Sequence, residues 1–290
     1  MVRPAALNPF VAHLVRRSTW RLTALLLAAL CVPAAAAPEP VEFGQGNLRL
    51  KGYLYRPAGN GPFPAIVALH NCEGLGERGT PVAARYGDWG ERLAAGGFVV
   101  LFPDSFGARG IGAQCNAGQR SMRSGRERAV DADAARHWLQ EQSFVAADRV
   151  SLIGWANGAV ALLWTVRPRT GRKEAKPDFR SAVAFFPGCR RLRDTAWSAR
   201  LPTLILIGGK DDWTPASACE QMVAGARGRS AHAGIVVYPD AYHDFDHPGL
   251  PLQQRSGVAF ASGGSGRVHV GTDAAARADA QKRVTEWISR

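Results

Sequence analysis

From Leu48 to Ser289, short apolar runs alternate with helix-length amphipathic stretches, and this alternation constrains the fold more than any other feature of the sequence. Pro64–His70 (PAIVALH) and Phe98–Phe102 (FVVLF) are continuous apolar runs of strand length, as are Leu204–Ile207 (LILI) and Ile235–Tyr238 (IVVY). In Pro64–His70 such a run implies a strand covered on both faces, as in a parallel sheet with helices on each side, and Phe98–Phe102 reads as the next buried strand. Leu48–Tyr55 alternates apolar with polar residues, as a half-exposed strand does, and Arg149–Trp155 and Ala182–Phe186 continue the strand series. Helices are expected over Ala83–Ala95 (closing at Gly96-Gly97), Arg126–Gln142, Asn157–Val166, Pro215–Arg227 and Asp273–Ser289. Strands separated by helical stretches of this length specify βαβ units and an α/β fold with one mostly parallel sheet. The Gly/Ser-rich stretch Gly263–Gly266 reads as part of a long loop, so a single domain is expected.

The first residues have a different character. Arg3, Arg16, Arg17 and Arg21 precede the apolar run Leu22–Val32, and alanines 34 to 37 follow. A basic region, a short apolar run and small residues are the pattern of a secretory signal, expected to end near Ala36 or Ala37. The run is short for a bilayer span, with an uncleaved anchor as the alternative. Residues 1–37 are thus expected to be a signal peptide and 38–290 the working domain, periplasmic or secreted, with no membrane span after cleavage. The formal net charge of +12 falls to +8 without the four leader arginines. No run of five basic residues and no interleaved aromatic and basic stripe is present, so a solvated basic surface is expected and not a nucleic-acid partner.

Four cysteines lie beyond the leader: Cys72, Cys115, Cys189 and Cys219. An even number in an oxidising compartment argues for two disulfides, with three possible pairings. The order of elements favours Cys72–Cys115 and Cys189–Cys219, each at one end of the sheet.

In such a sheet the working residues lie beyond the carboxyl ends of the strands. After RVSLIGW the chain reads Gly154-Trp155-Ala156-Asn157-Gly158, a Gly-x-x-x-Gly turn into a helix. In hydrolases that use this turn, the central residue is a nucleophile presented at a helix N-terminus. Here that residue is alanine, whose methyl group cannot attack a carbonyl. After LILI comes Gly208-Gly209-Lys210-Asp211-Asp212-Trp213, where an acid that orients a histidine is expected. Asp211 is the preferred acid, and Asp212 then caps the following helix. After IVVY comes Pro239-Asp240-Ala241-Tyr242-His243-Asp244-Phe245, which puts His243 in the general-base position.

With Leu69-His70-Asn71-Cys72-Glu73-Gly74 and Pro103-Asp104-Ser105-Phe106-Gly107, these loops make the chain resemble the dienelactone hydrolase family across residues 40 to 290. The resemblance implies an α/β-hydrolase fold and a triad completed by Asp211 and His243, with Ser or Cys at position 156. The Trp-x-Asn-Gly context resembles the serine-bearing relatives, whereas dienelactone hydrolase itself uses cysteine. It further implies an oxyanion hole built from the backbone N–H groups of Asn157 and Cys72. Arg109 resembles an arginine that binds substrate carboxylate, although a second such arginine would fall near His247. Asn71 and Trp155, inside two of the motifs, are expected to touch substrate.

The reaction implied is hydrolysis of a small-molecule carboxylic ester or lactone through an acyl-enzyme, with this copy nearly inactive. Three explanations fit Ala156: an engineered or recent loss of a serine or cysteine, a natural pseudoenzyme that binds without turnover, or a nucleophile elsewhere. Ser151 lies mid-strand, which argues against the last, and retention of acid, base and glycines favours the first. A peptidase or acyltransferase of the same fold is the alternative within the class. No cofactor is expected, since no phosphate loop of the Walker or dinucleotide type occurs. Nor is a metal site, since His243 and His247 sit in a loop with no further clustered ligand.

Overall fold

The order in which the strands lie, and not their order in the chain, decides where a site can form. A computed structural model describes residues 37–45, 48–116, 118, 121–169 and 175–290. The expected signal segment therefore lies outside the described residues, apart from Ala37. Ten strands are described: β1 (Glu39–Gln45), β2 (Leu48–Tyr55), β3 (Phe63–Leu69), β4 (Val99–Asp104), β5 (Val145–Trp155), β6 (Ala182–Phe185), β7 (Thr203–Gly208), β8 (Ala233–Tyr238), β9 (Gln253–Arg255) and β10 (Val268–Val270). Six α-helices accompany them: α1 (Ala84–Ala95), α2 (Glu127–Gln140), α3 (Asn157–Thr165), α4 (Arg190–Arg193), α5 (Ala216–Gly225) and α6 (Ala274–Ile288), with a short 3-10 turn at Gly107–Arg109.

The main sheet runs β1-β2-β4-β3-β5-β6-β7-β8. The β1–β2 and β2–β4 pairs are antiparallel and every later pair is parallel. Both antiparallel pairs belong to the alternating strand β2. The continuous apolar runs form the parallel part, where Ile66, Val100, Leu101 and Ile153 are fully buried.

Passing from β3 to β4 moves across the sheet in one direction, and passing from β4 to β5 moves back past β3. Right-handed crossovers then put α1 on one face and α2, α3 and α5 on the other. On the first face α1 lies beside α6, tied by Arg277 to Asp88 at 2.6 Å. Asp273 caps α6 by accepting a hydrogen bond from the Ala276 N–H. The reversal of direction opens a crevice beyond the carboxyl ends of β3 and β5, where such sheets bind ligands.

The described residues belong to one compact unit, and the fold is the mostly parallel α/β sheet that the alternation implies. Among them, no helix is long and apolar enough to cross a membrane. Both disulfides join the favoured partners, Cys72 to Cys115 and Cys189 to Cys219. Two features were not expected. Glu39–Gln45 adds an antiparallel edge strand. The β9–β10 hairpin flanks the Gly/Ser-rich loop, and through Val270 it bridges to His243.

Candidate active site

The turn at Ala156 is built by glycine contacts on either side of it. A Cβ on Gly158 would lie 2.1 Å from the Leu69 carbonyl oxygen and 2.5 Å from that of His70, so α3 starts directly against the end of β3. A Cβ on Gly154 would lie 2.7 Å from the Gly158 carbonyl. With β5 ending at Trp155 and α3 starting at Asn157, one residue must make the whole turn, and Ala156 takes φ +46° and ψ −108°. An alanine in that conformation stores about 1–3 kcal/mol, which persists only where the surroundings enforce it. Its N–H donates to the Phe185 carbonyl at 3.0 Å, and its methyl stands at the positive end of α3.

The acid and base loops are held together through their backbones. The Lys210 N–H donates to the Ala241 carbonyl at 3.0 Å, and the Gly209 N–H to Tyr238 at 2.7 Å. Across this junction His243 Nδ1 lies 2.7 Å from Asp211 Oδ2, with both side chains buried. Asp211 Oδ1 accepts the N–H groups of Trp213 and Thr214 at 2.9 and 2.7 Å, and the Thr214 hydroxyl donates to Oδ2 at 2.9 Å. A carboxylate held this way accepts a hydrogen bond from the imidazole Nδ1–H, which fixes the tautomer and leaves Nε2 as the proton acceptor. Burial pushes the His243 pKa down, but the charge and hydrogen bond of Asp211 outweigh it and hold the imidazole above its ordinary value. The ring packs between Phe186 and Trp213, at centroid distances of 4.5 and 4.8 Å.

Ala156 and His243 line one cavity of about 700 Å³, together with Cys72, Asn157, Trp213 and Thr214. The sequence therefore brings together position 156, Asp211, His243 and the two residues named for the oxyanion hole. It does not bring the three substrate contacts with them. Arg109 stays off the cavity lining, because its guanidinium is bound in a fork to Asp131 at 2.7 and 2.9 Å and also to the Ser105 carbonyl. Trp155 is fully buried in the core, stacked on Phe185 with its indole N–H donating to Asp246 Oδ2 at 2.6 Å. Asn71 turns its side chain back to accept the Glu73 N–H at 2.9 Å. Asp212 does not cap α5 either: it accepts from the His269 backbone N–H and pairs with the His269 ring, both at 2.8 Å.

The supports of the site were not singled out in the sequence. Arg85 of α1 is buried with Nη2 2.6 Å from Asp244 Oδ1 and Nε 3.4 Å from Asp246 Oδ1. Asp246 also accepts the indole N–H of Trp89 at 2.8 Å, so one carboxylate joins α1, the residue before the turn and the loop of His243. Burial raises the pKa of both acids. Arg85 outweighs it at Asp244, whose value is lowered, but not at Asp246, whose value stays raised. Asp244 holds φ +65°, a further strained position beside the histidine. On the other side, Arg128 donates to Asn157 Oδ1 and to the His70 carbonyl, both at 2.7 Å, which pins the loop after β3 to the start of α3. Two aspartates, Asp244 and Asp246, within three residues of a candidate histidine were the available signal, but a helix arginine reads as a solvated charge until its partners are known.

Comparison with known proteins agrees with this architecture. A model of the dienelactone hydrolase family matches residues 50–290. A Yersinia pestis protein provisionally named a carboxymethylenebutenolidase is 25% identical over 219 residues, spanning 70% of this chain and 76% of its own. A Bradyrhizobium protein provisionally named a 2-oxo-3-(5-oxofuran-2-ylidene)propanoate lactonase is 24% identical over 224 residues, or 72% of this chain and 84% of its own. The crystal structure of a dienelactone hydrolase from Anabaena variabilis superposes with a TM-score of 0.59 at 18% identity, covering 87% of this chain and 97% of that one.

Proposed function

This chain belongs to the dienelactone hydrolase family, and from that premise we propose that its cavity is the ester- or lactone-binding site of an acyl-enzyme hydrolase whose nucleophile position is occupied by Ala156. The observation that carries the reading is the strained turn at Ala156, which opens into the same cavity as a buried Asp211–His243 pair. In the complete reaction, a hydroxyl or thiol at position 156 gives its proton to His243 Nε2 and attacks the carbonyl carbon. Asp211 stabilises the imidazolium, and the N–H groups of Asn157 and Cys72 bind the oxygen that becomes anionic. Each such donor contributes about 3–4 kcal/mol. The imidazolium then protonates the leaving alkoxide, and Nε2 next takes a proton from the water that releases the acid. The lactonase and carboxymethylenebutenolidase names of the two relatives support a lactone or small ester as substrate.

With a methyl group at position 156 no acyl-enzyme forms, and the chain holds its ester without turnover. Its two disulfides and the leader-like first 37 residues support export to the periplasm or beyond. The test is hydrolysis of short p-nitrophenyl esters by Ala156→Ser and Ala156→Cys. A gain of several orders of magnitude in either supports the reading. Failure of both, with the fold intact, leaves a binding protein.

A further inference from the structure

The cavity carries an unusual charge. Arg123, Arg126, Arg190 and Arg191 all line it, and among the described residues no aspartate or glutamate does. The four reach it as two pairs. Arg123 and Arg126 lie in the segment that leads into α2, whereas Arg190 and Arg191 begin α4 beyond β6. Between the pairs run Val160 and Trp164, one turn apart on α3 and both on the cavity lining. Each pair's segment rests on one of these side chains. A Cβ on Gly125 would lie 2.7 Å from the Trp164 ring, and one on Gly188 would lie 3.7 Å from Val160. The cavity is thus an apolar floor with a cationic segment on each flank.

The arginines are not consumed by the fold, unlike Arg109 or Arg128. Arg126, Arg190 and Arg191 are exposed. Glu127, off the lining, approaches Arg123 at 3.7 Å and offsets part of the charge on that flank. Like charges gathered around one cavity raise the local concentration of anions and reward a ligand that brings negative charge to each. The guanidinium fork suits a planar carboxylate or a phosphate.

Resting on the ester-binding reading above, we propose that the cavity takes an ester with an apolar body and an anionic group at each end, one end held by Arg123 and Arg126 and the other by Arg190 and Arg191. The floor of Val160 and Trp164 takes the body between them.

Because the chain lacks a nucleophile, binding can be measured on the protein as it is. The probe is the ester of adipic acid with 4-hydroxybenzoic acid, which carries a carboxylate at each end, compared by calorimetry with its two monomethyl esters and its dimethyl ester. Each carboxylate is expected to tighten binding about tenfold, and the gain should shrink between roughly 50 and 500 mM salt as the charges are screened. Replacing Arg123 and Arg126 together by glutamine should abolish the gain from one end only. The same change at Arg190 and Arg191 should abolish the gain from the other end, while lysine pairs retain most of both. Equal binding of all four esters, no binding of any, or glutamine pairs that leave the order unchanged would overturn the proposal. Ala156→Ser separates this from the hydrolase reading. Turnover without charge preference removes the anionic ends and leaves the hydrolase. Graded binding without turnover in both Ala156→Ser and Ala156→Cys removes the hydrolase and leaves the anionic site.

Discussion

Replacing Arg85 by leucine removes the only cation within 4 Å of Asp244 and Asp246 among the ion pairs of the described residues. Both carboxylates are at most 7% exposed, so water cannot take over the role of the guanidinium. Breaking a buried pair of this kind costs about 3–5 kcal/mol. For a domain of this size that is roughly 6–20 °C in melting temperature. The loss should depend on pH in a defined direction. Without Arg85, Asp244 joins Asp246 in having a folded pKa above the unfolded value of about 3.9. The folded variant then binds more protons than the unfolded chain, and its stability falls as pH rises through those folded values. In the unaltered chain Asp244 acts oppositely, with a lowered folded pKa and a contribution lost as pH falls. The difference between the two proteins should therefore be larger at pH 8 than at pH 5. Unfolding in urea followed by tryptophan fluorescence reads this directly, since Trp89 and Trp155 both donate to Asp246. Asp246→Asn keeps an acceptor for both indoles and removes a buried charge, so it should stay within about 1 kcal/mol of the unaltered chain. An Arg85→Leu protein that loses less than about 1 kcal/mol at pH 8, or whose deficit does not narrow at pH 5, refutes the reasoning.

Two further perturbations follow from the same geometry. Gly158→Ala drives a methyl group into two backbone carbonyls and should cost about 2–3 kcal/mol by overpacking, whereas Gly225→Ala, with nothing within 4 Å, should gain up to about 1 kcal/mol. Chemical denaturation of both variants checks the contrast, and equal effects would contradict it. For His243, NMR titration should show the imidazole protonating above its ordinary value, and Asp211→Asn should bring that value down. Because the folded pKa is raised, its contribution to stability is complete below about pH 6.5 and is lost as pH rises through the folded value.

How far the sequence could be read depended on whether a residue's role was local. The continuous apolar runs of β3, β4 and β7 identify themselves, because burial on both faces leaves no polar position. Ala156, Asp211 and His243 could be named from chain order, since each follows a strand whose carboxyl end faces the same crevice. Trp155 and Asn71 lie beside those positions but point away, because successive side chains alternate across a strand and short loops curl back on themselves. Arg109 depended on Asp131, which is 22 residues distant on α2. Arg85 and Asp246 lie far apart in the chain, and no local pattern announces that a helix arginine will meet a loop carboxylate in the core. The edge strand Glu39–Gln45 interrupts its alternation with Pro40 and Gly44, and only its pairing with β2 defines it.

The central claim concerns position 156, and the most direct measurement is covalent. Incubating Ala156→Ser with a fluorophosphonate and reading the intact mass should give one adduct per chain, mapped by peptide digestion to position 156. The adduct should be absent from the unaltered protein and much slower to form when His243→Ala is added. A folded Ala156→Ser protein that labels elsewhere, or that stays unlabelled while a folded Ala156→Cys also fails to hydrolyse esters, would contradict the account.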